Sequence, residues 1–228
     1  MTAQPISANT TKWTPQVSAE LIRQGIPLPA ELILAVIDVE SRGVSGLVNP
    51  KSGASGLMQV MPITLRSYNN VHPLKFTIQD LRSKDNPVSQ IRVGIWALGQ
   101  YWRAAHAYLS QRLSSISMDE LAKISDLMFA AGGESVRQKL NRLAVPSVAG
   151  LKETFPKWNA LPHIQNVFDR VSPESISQVA LNSWISTSAK SSVRYAGASD
   201  WIVKALIGIA VGYFVSFLIK EIGGINVE

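Results

Sequence analysis

A chain of 228 residues can hold one well-buried domain with extensions. It has no cysteine, which excludes disulfides and thiolate-held metal, and its three histidines form no H-E-x-x-H pattern, so neither a catalytic metal nor another cofactor is expected. A net charge of +6 favours anionic polymers and phospholipid surfaces; with scattered basic residues and no P-loop, zinc-finger or RNP pattern, nucleic acid is not an expected partner.

Residues 1–15 are polar, rich in Thr, Ser, Ala and Asn, and read as a flexible segment without the basic-then-apolar profile of a secretory signal. Residues 16–26 predict a short helix ending near Gly25. From Pro29 to Arg42 the pattern is that of a buried helix. Pro29 suits the first turn, and Leu32, Ile33, Leu34, Ala35, Val36, Ile37 and Val39 leave almost no polar face. Asp38 and Glu40 arrive at its end, and Gly43 supplies a stop. Residues two apart on a helix do not face each other, so Asp38 and Glu40 are not a catalytic pair. The negative end of the helix dipole and burial both disfavour Glu⁻. Both raise the proton affinity of Glu40, as a general acid working near neutral pH requires.

Behind Glu40-Ser41 comes GASGLMQVMPIT, residues 53–64. Gly53 and Gly56 permit close backbone approach or positive φ, and Gln59 offers both a donor and acceptors to a ligand. In this order and spacing, Glu40-Ser41, Gly56-Leu57-Met58-Gln59 and Pro62-Ile63-Thr64 resemble the soluble lytic transglycosylase family, relatives of goose-type lysozymes. The resemblance implies a mainly α, lysozyme-like transglycosylase domain over residues 16–172 and peptidoglycan glycan strands as substrate. It implies Glu40 as the catalytic acid and then base, with Ser41 and Gln59 orienting the acid and the sugar. Gly56, Met58, Tyr68 and Phe129 are the further substrate-binding candidates.

Residues 65–86 contain Asn69-Asn70, His72-Pro73 and Asp85-Asn86-Pro87, turn chemistry that predicts an irregular flap beside the site. From Pro87 a long amphipathic helix is expected, its stripe Ile91, Ile95, Leu98, Trp102, Ala105 and Leu109, with Arg92 and Arg103 off it. Residues 91–98, IRVGIWAL, loosely resemble the family's helix behind the active site, and Trp96, Tyr101, Trp102 and Tyr108 read as core. Ser117-Met118-Asp119-Glu120 is a capping box that opens a helix through Leu121, Ile124, Leu127 and Met128 to Ala131. FAAGGESVRQKL, residues 129–140, resembles the family's A-Y-N-A-G-P-x-x-V motif with Phe129 for Tyr and Ala130 for Asn. Residues 160–172 resemble its closing P-x-x-x-x-Y-V-x-R-V helix, with Val167-Phe168 where Tyr-Val is expected. Polar neighbours of the acid are therefore missing, and Tyr68, Tyr101 or His163 is the candidate replacement. Asp80, Asp85, Asp126 and Glu134 lie far away in sequence and belong to no catalytic-looking motif.

Residues 173–200 read as a serine-rich linker. The nineteen residues 201–219 carry one charge, Lys204, and are about long enough to span a hydrocarbon layer of roughly 30 Å. They predict a membrane helix, with Trp201 and Lys220 at its interfaces and residues 220–228 as a short tail. Gly208 and Gly212 form a G-x-x-x-G face for a homo-oligomer or virion proteins. The flanking charges favour an enzyme domain left in the cytoplasm, which conflicts with a wall substrate. An apolar tail without a secretory leader resembles bacteriophage virion-associated wall enzymes, delivered from outside. The expected location is thus the virion, acting at the host periplasm in local wall opening during genome entry. A hydrolytic lysozyme with the same acid, and a non-catalytic membrane-anchored virion or secretion-channel protein, are the alternatives.

Overall fold

The computed structural model describes residues 4–172 and 174–176. In chain order the helices are α1 (Ala8–Thr11), α2 (Thr14–Gln24), α3 (Ala30–Ser41), α4 (Pro62–Val71), α5 (Ile78–Arg82), α6 (Pro87–Ser110), α7 (Met118–Ala131), α8 (Gly133–Leu140), α9 (Val148–Thr154) and α10 (Leu161–Phe168). Short antiparallel bridges, Val48 with Ser55 and Ser55 with Val60, tie the loop after α3.

The apolar run of α3 decides the arrangement. Leu32, Ile33, Ala35, Val36 and Ile37 are fully buried, each large side chain contributing about 1.5–3 kcal/mol on burial. Helices α1, α2 and α10 pack on α3, while α6 packs on α2, α4, α5 and α7. Helix α10 also packs on α7, so it bridges α3 and α7. The predicted stripe of α6 is buried throughout, and Asn86 caps that helix by accepting from Ser89 N at 3.4 Å. Buried Glu20 on α2 binds Arg92 of α6 at 2.7 Å and its neighbour Arg23 at 2.6 Å. Burial alone would raise the Glu20 carboxyl, but these two guanidinium groups hold it below the usual range.

Residues 4–15 correct the expectation of a flexible segment. Ser7 Oγ donates to Asp38 Oδ1 at 2.5 Å, Thr10 Oγ1 to the same oxygen at 2.7 Å, and Arg170 Nε to Oδ2 at 3.0 Å. Asn9 and Trp13 donate to the carbonyls of Arg42 and Gly43, satisfying the end of α3. The stop itself falls one residue earlier than expected: Arg42 takes the left-handed cap at φ 51°, followed by Gly43 at φ 71°. A Cβ on Gly43 would run into the backbone of Asn9. These polar residues gain partners only once α3 is in place, which their composition cannot reveal.

The flap expected over residues 65–86 is largely helical. Pro62 opens α4, which buries Leu65 and Tyr68, and a Thr77–Asp80 capping box opens α5. The capping box expected at Ser117 is half formed. Ser117 accepts from Glu120 N, but the Glu120 carboxylate turns to Val148 N and so ties α7 to α9. Among the described residues no helix is long and apolar enough to cross a membrane. The expected linker, apart from residues 174–176, the stretch 201–219 with Gly208 and Gly212, and the tail 220–228 lie outside the described residues.

The Asp38 junction joins α1, α3 and the turn after α10, and its carboxylate is held below the ordinary 3.8: burial opposes this, and the bonds from Ser7, Thr10 and Arg170 outweigh it. Its contribution is therefore present above pH 3.8 and lost as pH falls through the lower folded-state value. Asp38→Ala strands the Arg170 guanidinium and is expected to cost about 3 kcal/mol near neutral pH. Urea unfolding of the variant beside wild type checks this, and the gap narrows in strong acid.

Candidate active site

Helix α3 delivers two carboxylates with opposite environments. Asp38 is enclosed by the donors described above. Glu40, two residues on, faces a cleft of about 390 Å³ lined also by Leu47, Val48, Asn49, Pro50, Lys51 and Gln59. Its side chain is 21% exposed, enough to be reached from the cleft but mostly out of water. Burial, opposed by the nearby His163 and reinforced by Asp126, pushes the Glu40 carboxyl up from 4.5 to about 7. At one unit per 1.36 kcal/mol, that rise corresponds to roughly 3 kcal/mol favouring the protonated acid.

The far wall of the cleft is a loop held from below. Gln90 of α6 is fully buried. Its Oε1 accepts from Gly46 N at 3.1 Å and Leu57 N at 3.0 Å, and its Nε2 donates to Ser83 O at 2.7 Å and Ser45 Oγ at 3.1 Å. Gly56, at φ 81°, is required here because a Cβ would strike the Gln90 side chain. Within the loop, Gly56 N donates to Leu47 O at 2.7 Å and Asn49 N to Ala54 O at 2.8 Å.

The candidate residues divide on this geometry. Gln59 lines the cleft with Glu40, and its amide nitrogen ties the loop, donating to Leu47 O at 3.2 Å and Gly56 O at 3.0 Å. Gly56 shapes the loop from beneath. Ser41 does not orient Glu40: its hydroxyl bonds back to Ile37 O at 3.1 Å inside the helix. Met58 does not line the groove; it is fully buried against Gly94, where a Cβ would overlap it. Tyr68, 1% exposed, stacks on His72 at 4.0 Å and meets Trp96 edge-on at 5.5 Å, away from the cleft lining. Phe129 packs edge to face on Tyr101 at 6.4 Å and against the core. Gly-Leu-Met-Gln is therefore mainly architecture, its Leu and Met anchoring the loop that carries Gln59.

Of the three candidate replacements for the missing motif groups, His163 is the one brought to the acid. Its Nδ1 lies 3.8 Å from Glu40 Oε1, and its Nε2 lies 3.4 Å from Asp126 Oδ2. Asp126, set aside in the sequence, is fully buried on α7, and neither of its oxygens has a hydrogen-bond partner among the described residues. The signal was present in the sequence: an acid between Ile124 and Leu127, on the apolar face of a helix. Burial would lower the His163 imidazole, but Asp126 and Glu40 together raise it above its ordinary 6.5. Among the described residues no cluster of acids and histidines is arranged to hold a metal ion.

Residues 23–123 match the family model of the transglycosylase SLT domain. This supports the SLT family, and with it a lysozyme-like helical fold and peptidoglycan lytic transglycosylase-type activity in general. The SLT match spans Glu40, the loop and the whole of α6; Asp126 and His163 lie beyond it. No curated protein matches the chain.

The raised Glu40 carboxyl has a consequence for stability. A folded-state value above the unfolded one contributes stability that is complete below pH 4.5 and is lost as pH rises through about 7. Glu40→Gln is neutral at every pH and keeps that contribution. Thermal unfolding of the pair is expected to coincide in acid, while above pH 7 the variant becomes the more stable by up to about 3 kcal/mol.

Proposed function

We propose that this protein is a lytic transglycosylase in which Glu40 is the single general acid and base. The observation that carries the reading is a carboxyl with a value of about 7 in an open cleft whose lining, among the described residues, holds no second acid. Most glycosidases set two carboxylates about the scissile bond. Asp38 is committed to Ser7, Thr10 and Arg170, and Asp126 is enclosed in the core. Neither is available to activate water.

A one-acid mechanism accounts for this. Glu40 donates its proton to the oxygen linking N-acetylmuramic acid to N-acetylglucosamine, and the C1–O bond breaks as the substrate's own acetamido oxygen supports C1. The Glu40 carboxylate then takes the proton of the muramoyl C6 hydroxyl, whose oxygen bonds C1 and closes the anhydro ring. Asn49 and Gln59 are the amide side chains lining the cleft; the Gln59 nitrogen is engaged by the loop, which leaves its oxygen as an acceptor for the sugar. Mass spectrometry of purified peptidoglycan after digestion is expected to yield anhydro ends. Reducing ends would favour a hydrolytic lysozyme, and intact glycan a non-catalytic structural protein. Glu40→Gln is expected to lose at least about 10²–10⁴-fold in fragment release; wild-type release by that variant removes Glu40 from the mechanism.

The finer reading is a membrane-associated virion enzyme that opens the host wall locally, with the 201–219 stretch inserted in a bilayer and Gly208 and Gly212 available for helix contacts. It rests on the sequence of that stretch. Full-length protein is expected to float with liposomes and to resist alkaline carbonate extraction. Recovery as a soluble monomer without detergent would rule out the membrane placement.

A further inference from the structure

Three helices converge behind the acid. Glu40 is in the last turn of α3, Asp126 is in α7, and His163 comes from α10, the helix packed on both. Lys51 lines the cleft with Glu40, and three further charged groups on or next to these helices have partners of their own. Arg170, just after α10, is on Asp38, Lys123 of α7 is on Asp119, and Glu31 of α3 is on Ser172. Glu40 and Asp126 are the acids within 4 Å of the imidazole. A fully buried carboxylate with no hydrogen bond is costly unless a cation faces it. The group facing Asp126 is His163.

We propose that Asp126 favours the protonated form of His163, and that His163 is a positioning residue whose charge stabilises the Glu40 carboxylate formed when the acid gives up its proton. The proposal rests on Glu40 being the acid. A buried carboxyl at the negative end of a helix binds its proton firmly and, left alone, is a reluctant donor. A cation 3.8 Å away favours the anion just when it forms, and again while that anion waits to collect the next proton. The imidazole stands behind the acid, so it acts through Glu40 without touching the sugar. The pair would take the place of the motif hydroxyl and amide replaced by Phe129 and Ala130.

The test is NMR titration of the full chain carrying ¹³C-labelled histidine and glutamate, without substrate, beside pH–rate profiles on purified peptidoglycan. In wild type the His163 midpoint is expected above 6.5, the direction that its two acidic neighbours impose. Asp126→Asn should lower that midpoint by about one unit or more, and His163→Gln should raise the Glu40 midpoint by a similar amount, since an opposite charge within about 4–6 Å shifts a carboxyl by about 1–3 units. In His163→Gln the alkaline limb of the rate profile should move up with Glu40 while the plateau falls at least about tenfold, a part of what general acid catalysis supplies. A residue that merely packed would lower the plateau and leave the limb in place. A wild-type His163 midpoint at or below 6.5 overturns the proposal without any variant, and so does a Glu40 midpoint unmoved in His163→Gln. Absence of peptidoglycan cleavage by wild type would instead remove the proposed function, with the titrations still deciding whether the charge pair exists.

Discussion

The burial of α3 is the constraint on which the rest depends. Its residues 32–37 are apolar on every side, so the chain must wrap them, and α1, α2 and α10 do so. Wrapping carries the end of α3 inward, and Glu40 goes with it. Each large side chain buried there contributes about 1.5–3 kcal/mol, against roughly 3 kcal/mol for keeping one carboxyl protonated at neutral pH. The helix core outweighs its own awkward acid. Its perturbed proton affinity is thus a by-product of packing, available for chemistry.

Asp38 and Glu40 make the contrast sharp. Both are on the last turn of one helix, yet one is held below its ordinary value and the other well above. Burial opposes ionisation at both. Asp38 receives Ser7, Thr10 and Arg170, enough donors to reverse the sign. Glu40 has the His163 imidazole at 3.8 Å, outside hydrogen-bonding range, and burial prevails. Donor supply, rather than depth, separates a structural carboxylate from a chemical one.

The cleft wall follows the same logic through Gln90. A buried amide must find partners for its donor and acceptor atoms, and this one finds them in the backbone of two loops and in Ser45. The loop carrying Gln59 is thereby fixed to α6 from beneath. Gly56 and Gly94 yield the room that Gln90 and Met58 occupy. Motif residues that look like sugar contacts in a linear reading serve here as the mount for the surface that faces the sugar.

What the sequence by itself determined was what a single element or a short loop can carry. The apolar run made α3 a buried helix and put Glu40 at its end, and the period of Ile91, Ile95, Leu98, Trp102, Ala105 and Leu109 made α6. The order Glu-Ser, Gly-Leu-Met-Gln, Pro-x-Thr marked the family that the match to residues 23–123 supports. Only the tertiary structure decided which faces meet. Ser7 and Thr10 read as a loose polar leader until Asp38 supplies their acceptor. Tyr68 and Phe129 read as groove residues until their aromatic neighbours draw them into the packing. Asp126 and His163 stand thirty-seven residues apart in the chain and join Glu40 because α10 docks between α3 and α7. Periodicity reports that a face is apolar and that a polar residue interrupts it; the partner awaiting that residue is set by helix docking, which no local spacing encodes.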